Sequence, residues 1–111
     1  MELKINKVSL NDILELRKLY LYENNMQVRY NACHERGWTD SYLITIDGAI
    51  VGYGSVKGLD DLSLREAIFE FYILLKERRN ASAAFEELIK VSGVKSIECQ
   101  SNDLLLSTMV Y

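Results

Sequence analysis

The sequence predicts an α+β fold (mixed α/β), a mainly antiparallel sheet with flanking helices. Three observations predict it. Two runs of β-branched and aromatic residues flank Asp47-Gly48 in "SYLITIDGAIVGYGSV", the pattern of a tight hairpin with a type I′ turn. A strand, a helix and a further strand follow from Leu64 to Ser101, and strands that bracket one helix pair parallel through a right-handed crossover. A strand and an amphipathic helix precede the hairpin, so antiparallel pairing and one crossover are mixed in one chain.

Each element has its own signal. "LKINKV" alternates Leu3, Ile5 and Val8 with polar residues, as a half-buried strand does. In "SLNDILELRKLYLYE", Ser9 and Asp12 resemble a capping box, and Leu10, Ile13, Leu14, Leu16 and Tyr20 form a helical stripe. "NNMQVRYNACHERGW" reads as a loop plus a short second helix ending near Gly37. "KGLDDLS" is a polar connection after the hairpin. "LREAIFEFYILL" is a long strand with Ile68, Glu70, Tyr72 and Leu74 on one face and Phe69, Phe71 and Ile73 on the other. Apolar residues on both faces make it a central strand, with the Glu70 carboxylate in its middle. The helix "NASAAFEELIKVS" stops at Gly93, "VKSIECQS" is another strand, and "NDLLLSTMVY" begins a further helix.

Length and composition set limits. The 111 residues make one domain, spanning 1–111, long enough to bury a core without staples. Net charge is −3, so nothing global favours nucleic acid, and any anion site must be local. Cys33, Cys99 and the single histidine, His34, do not assemble a metal set, which leaves two free thiols in a reducing compartment. The first twelve residues do not read as a signal peptide, and no apolar run approaches the roughly 20 residues of a membrane span. The expectation is a cytoplasmic protein with no membrane, nucleic-acid or metal partner.

The turn "LLKERRNASAAF" carries the chemistry. A helix N-terminus presents unpaired N–H groups and about half a positive charge, which together bind phosphate. Arg78 and Arg79 stand just upstream, where guanidinium groups can clamp phosphate oxygens. Ala81, Ser82 and Ala83 are small enough for close approach to the backbone, and Ser82 adds a hydroxyl. The turn has no glycine, so it must avoid positive φ. The competing reading is an ordinary strand–helix connection with surface arginines.

The order of elements and several phrases resemble the GNAT superfamily of acyl-CoA-dependent N-acetyltransferases. "YLITIDGAIVGYGSV" resembles the family's second and third strands, "FEFYILLKERRNASAAFEELI" its fourth strand, CoA loop and helix, and "IECQSND" its fifth strand. Against the family's Gln/Arg-x-x-Gly-x-Gly/Ala, this sequence has Arg78-x-x-Ala81-x-Ala83, a degenerate match with alanine at the middle glycine. A proline often precedes the family's loop; here Leu75-Lys76 stands instead.

The resemblance implies acetyl-CoA as co-substrate and a primary amine, more readily a small molecule than a protein, as acceptor in a ternary complex. It implies that the pyrophosphate lies on Arg79, Asn80, Ala81, Ser82 and Ala83 with Arg78 beside it. It implies that the pantetheine arm bonds the main chain of Tyr72, Ile73 and Leu74, with an N–H at Tyr72 or Ile73 polarising the thioester carbonyl. Glu70 is the candidate base, with an ion pair to Arg65 as the structural alternative, and Glu98 is the second choice. Tyr20, Tyr22, Arg29, Tyr30, His34 and Trp38 fall in the region that lines the family's acceptor groove. Family members continue past the fifth strand with a complete helix and two more strands, so the resemblance implies a truncated chain. Asn102 opens the stretch that resembles this helix, and Tyr111 is the candidate acid for the leaving thiolate. Three alternatives stay open: a fragment, a short member completed by a second copy as a homodimer, or a non-catalytic CoA-binding or protein-interaction module.

Overall fold

Asp47 and Gly48 adopt positive φ, 51° and 83°, and reverse the chain between β2 (Thr39–Ile46) and β3 (Ala49–Lys57). A two-residue turn of this hand matches the twist of the strands that it joins. The structure is a computed structural model and describes residues 2–23, 34, 37–58, 61, 63–97, 105 and 109. β1 (Leu3–Val8) lies antiparallel along the other edge of β2, from Leu3↔Ile46 to Val8↔Ser41. β4 (Ala67–Ile73) pairs antiparallel with β3, and β5 (Ser96–Ile97) pairs parallel with β4. The five strands stand in chain order, β1-β2-β3-β4-β5. The antiparallel sheet with one parallel crossover is the expected α+β architecture.

Among the described elements, one α-helix lies on each face. α1 (Leu14–Glu23) continues a 3-10 turn, Leu10–Ile13, whose Asp12 carboxylate accepts from the Ser9 N–H at 3.3 Å and the Ser9 hydroxyl at 3.1 Å. Ile13, Leu16 and Tyr20 pack with Tyr53 and Tyr72 on that face of the sheet. The helix is turned from the expected stripe: Leu14 is exposed and Arg17 is buried. Positions 13, 16, 17 and 20 form the inner face, at the spacing of one helical stripe.

α2 (Ala81–Ser92) covers the other face. Ala81, Ala84, Phe85 and Leu88 pack on Ile5, Ile44, Val56, Ile68, Phe71 and Ile73, with the Phe71 and Phe85 rings edge-on at 5.1 Å. Each buried leucine or phenylalanine here contributes roughly 1.5–3 kcal/mol. Gly93, at φ 69°, closes the helix with its N–H on Ile89 O.

The strict alternation expected along β4 is broken. Ser55 pairs with Glu70 and Val56 with Ile68, one step on β3 against two on β4. Phe69 is therefore the extra residue of a β-bulge. Ile68 joins Phe71 and Ile73 on the α2 face, while Phe69 and Glu70 both meet His34 on the α1 face. β4 also ends earlier than expected: Leu75 is 72% exposed and begins a second 3-10 turn, Leu75–Asn80, that runs into α2.

Candidate functional site

A carboxylate buried in a central strand must be paired or lose its charge. Glu70 is 1% exposed and takes hydrogen bonds from three side chains. Arg17 Nε donates to Oε1 at 2.9 Å and to Oε2 at 3.2 Å, and its Nη2 donates to Oε2 at 2.9 Å. The Tyr53 hydroxyl donates to Oε1 at 2.9 Å, and His34 Nε2 lies 3.1 Å from the same oxygen. The bulge aims Glu70 at this cluster, and the inner stripe of α1 brings Arg17 down onto it. The partner is thus Arg17, not Arg65, which instead sits with Nε 3.3 Å from Asp40 Oδ1.

The electrostatics follow from the contacts. Burial alone would raise the Glu70 pKa, but hydrogen bonds from His34 and Arg17, with the charge of Arg17, outweigh it and hold the carboxyl below its ordinary value. Burial disfavours the Arg17 charge, and Glu70 more than offsets it. Tyr53 is pushed well above the usual phenol value, first by burial and then by the Glu70 charge. A carboxylate facing His34 Nε2 calls for a proton on that nitrogen, and Nδ1 lies 2.9 Å from Thr39 Oγ1, which orients the ring.

The second part of the site is the main chain of β4. Leu74 N–H donates to Val51 O across to β3 at 2.8 Å. Bonding positions alternate in an antiparallel pair, so Tyr72 opposite Tyr53 also turns its main chain toward β3. Phe71 and Ile73 turn theirs to the other side, where β5 pairs with β4. Among the described residues that pairing runs from Ala67↔Ser96 to Ile68↔Ile97. Of the three positions expected to offer main-chain groups there, the structure places only Ile73 on that side, and Phe71 joins it.

The third part is the basic turn. Its residues do not form one cradle. Arg78 Nε donates to Ile73 O at 2.6 Å. Arg79 and Asn80 line a hollow of about 280 Å³ with Asp47, Val51 and Glu77, and Asn80 Nδ2 donates to Glu77 Oε2 at 3.1 Å. Ala81 is buried, and its N–H is used on Arg78 O. Ser82 and Ala83 are exposed at the start of α2. Without glycine the turn stays in right-handed backbone and winds as a 3-10 helix, which consumes amides that a wider loop would present.

Of the candidate acceptor residues, Tyr20 and His34 are buried, Trp38 is half-buried and Tyr22 is 89% exposed. Arg29, Tyr30, Glu98, Asn102, Tyr111, Cys33 and Cys99 lie outside the described residues. Among the described residues no group of His, Cys, Asp or Glu side chains is arranged to hold a metal, and no helix is long and apolar enough to cross a membrane. Sequence reasoning missed Arg17, Tyr53, Thr39 and Phe71. The signal for Arg17 was present: it lies four residues after Ile13 and three before Tyr20, on the stripe that a buried Glu70 would need.

No protein-family model and no curated protein sequence matches the chain. Solved structures do match. One is a predicted acetyltransferase with acetyl-CoA from Clostridium acetobutylicum, 14% identical, covering 99% of this chain and 90% of that one with a TM-score of 0.63. Another is a ribosomal-protein-alanine N-acetyltransferase from Brucella melitensis biovar Abortus 2308, 13% identical, covering 90% and 80% with a TM-score of 0.55. A third is the aminoglycoside acetyltransferase meta-AAC0020 from an uncultured soil metagenomic sample, in complex with sisomicin, 15% identical, covering 96% and 84% with a TM-score of 0.53. This likeness shows that the chain has the fold of the GNAT acetyltransferases.

Proposed function

We propose that this chain is an N-acetyltransferase that moves an acetyl group from acetyl-CoA to a primary amine on a small molecule, with both substrates bound together. The observation that carries the reading is the outer side of β4. There the main chain of Phe71 and Ile73 faces away from β3, one turn from a basic segment and a helix start. Among the described residues β5 pairs only with Ala67 and Ile68, and an extended thioester arm can add beside Phe71 and Ile73 as a strand does. Arg78 and Arg79 supply charge for its phosphates, and Ser82 and Ala83 supply exposed positions at the helix N-terminus. The structural neighbour with acetyl-CoA supports the donor, and the one with sisomicin supports a small-molecule amine.

In this reading the acceptor ammonium gives one proton to solvent, and the amine nitrogen then attacks the thioester carbon. An outward N–H of β4, at Ile73 or Phe71, stabilises the oxyanion. As the C–S bond breaks, a second proton passes from the nitrogen to the departing sulfur, and CoA leaves as the thiol. The geometry favours Glu70 as the anchor of the bulge over Glu70 as proton acceptor, because its oxygens are already taken by Arg17, Tyr53 and His34. A carboxylate held below its ordinary pKa is also a weaker base. β5 is one of the two outer strands of the described sheet, the edge that a second copy would cover in a cytoplasmic homodimer.

One observation favours a second reading, a non-catalytic CoA-binding or interaction module: the turn spends Arg78 and the Ala81 amide internally. Release of CoA thiol from acetyl-CoA, followed against a panel of primary amines, separates the two. Amine-dependent release supports the transferase, and saturable CoA binding with no release under any amine supports the module. Glu70→Gln tests the anchor role: turnover falls without displacement of the pH–rate limb, whereas a proton acceptor would take the limb with it.

A further inference from the structure

Arg78 folds back along β4. Its Nε donates to Ile73 O at 2.6 Å, and its guanidinium carbon lies 5.4 Å from the centre of the Tyr72 ring. A short charge-assisted bond and a ring contact hold the side chain against the strand. The carbonyl that it occupies faces away from β3, on the side where an amide-bearing arm would add alongside β4. The same guanidinium is a fork suited to phosphate oxygens. Nε and Nη2 together form one side of that fork, so a diphosphate bound there competes with the β4 carbonyl for the same Nε–H.

We propose that Arg78 is a specificity-determining latch, which covers the Ile73 carbonyl until a diphosphate draws it away, so that the site selects thioester donors carrying a diphosphate over phosphate-free pantetheine thioesters. The inference rests on the acetyl-CoA reading above and adds to it a reason for donor choice. A donor with a diphosphate gives the guanidinium a stronger partner and frees the carbonyl in the same step. A donor without phosphate must break the bond to Ile73 O and offers nothing in exchange. The latch thus shifts the balance between covered and open β4 only for ligands that bind the two states differently.

The test is calorimetric titration of the wild-type chain, Arg78→Ala and Arg78→Met with acetyl-CoA and with S-acetylpantetheine, each variant first checked for a cooperative melt. The latch requires opposite signs. Arg78→Ala should bind S-acetylpantetheine about tenfold more tightly, equivalent to ~1.4 kcal/mol, and acetyl-CoA less tightly. Arg78→Met, which keeps a side-chain stem over Tyr72 and has no donor for Ile73 O, should shift both affinities in the same directions as alanine and carries the test if the alanine variant does not fold. A residue that only clamps phosphate leaves S-acetylpantetheine unchanged, and one that only supports the strand end weakens both ligands; either result overturns the latch alone. A wild-type chain that binds neither ligand overturns the acetyl-CoA reading and the latch with it.

Discussion

Replacing Arg17 by methionine should cost far more than loss of a surface ion pair. The substitution keeps most of the apolar stem and removes the guanidinium. It takes away the three hydrogen bonds that Arg17 makes to Glu70, a carboxylate only 1% exposed. Breaking a buried pair from one side costs roughly 3–5 kcal/mol, because the remaining charge stays in the interior. Tyr53 and His34 still bond Glu70, so the lower end applies, ~3 kcal/mol. At about 2.1 cal/mol/K per residue, 111 residues have an unfolding entropy of about 0.23 kcal/mol/K, and the midpoint should fall by about 13 °C. Thermal and urea unfolding of Arg17→Met, Glu70→Gln and the double variant measure this. In the double variant no charge is stranded, so it should be more stable than the sum of the single losses allows, with a coupling above ~1 kcal/mol. A single loss under ~1 kcal/mol, the range of exposed pairs, or strict additivity would refute the claim that Glu70 and Arg17 form one buried unit.

Three further outcomes follow. Glu70 is held below its ordinary pKa, so its contribution is fully present above the unfolded carboxylate range, about 4.3. It is lost as pH falls through the lower folded value, and Glu70→Gln should flatten the acid limb of stability against pH. Tyr53 is raised well above the usual phenol value, so its contribution is present below about pH 10 and declines as pH rises beyond it; Tyr53→Phe should remove that alkaline loss while costing about 1 kcal/mol at neutral pH. At Gly52 an added Cβ would run into the Tyr72 carbonyl and the Ile73 side chain, so Gly52→Ala should destabilise by ~2 kcal/mol or more in urea unfolding; a neutral effect would mean that β3 and β4 lie further apart there.

The sheet was legible because its cues are local. Asp47-Gly48 can hardly be anything but a turn between two β-rich runs, and Gly93 sits where α2 needs a left-handed residue. The bulge at Phe69 was not legible: nothing in "AIFEFYI" distinguishes an extra residue from alternation, and the slip follows from pairing with Ser55 and Val56. That slip decides which residues share the pocket with Glu70. The Glu70 carboxylate stood out in the sequence, but its partner lies 53 residues away on another element, and only packing chooses Arg17 over Arg65. The turn was half legible. Its arginines and small residues were read as one anion cradle, yet without a glycine the backbone coils into a 3-10 helix and sends Arg78, Arg79 and Ala81 to three different surroundings.

The most direct test of the central claim is calorimetric titration of the chain with acetyl-CoA and with CoA. The account predicts saturable binding of both near one equivalent, weakened by Arg79→Glu with the melting midpoint unchanged. A folded chain that takes up neither would contradict it, and would leave a GNAT fold whose β4 edge and basic turn serve another purpose.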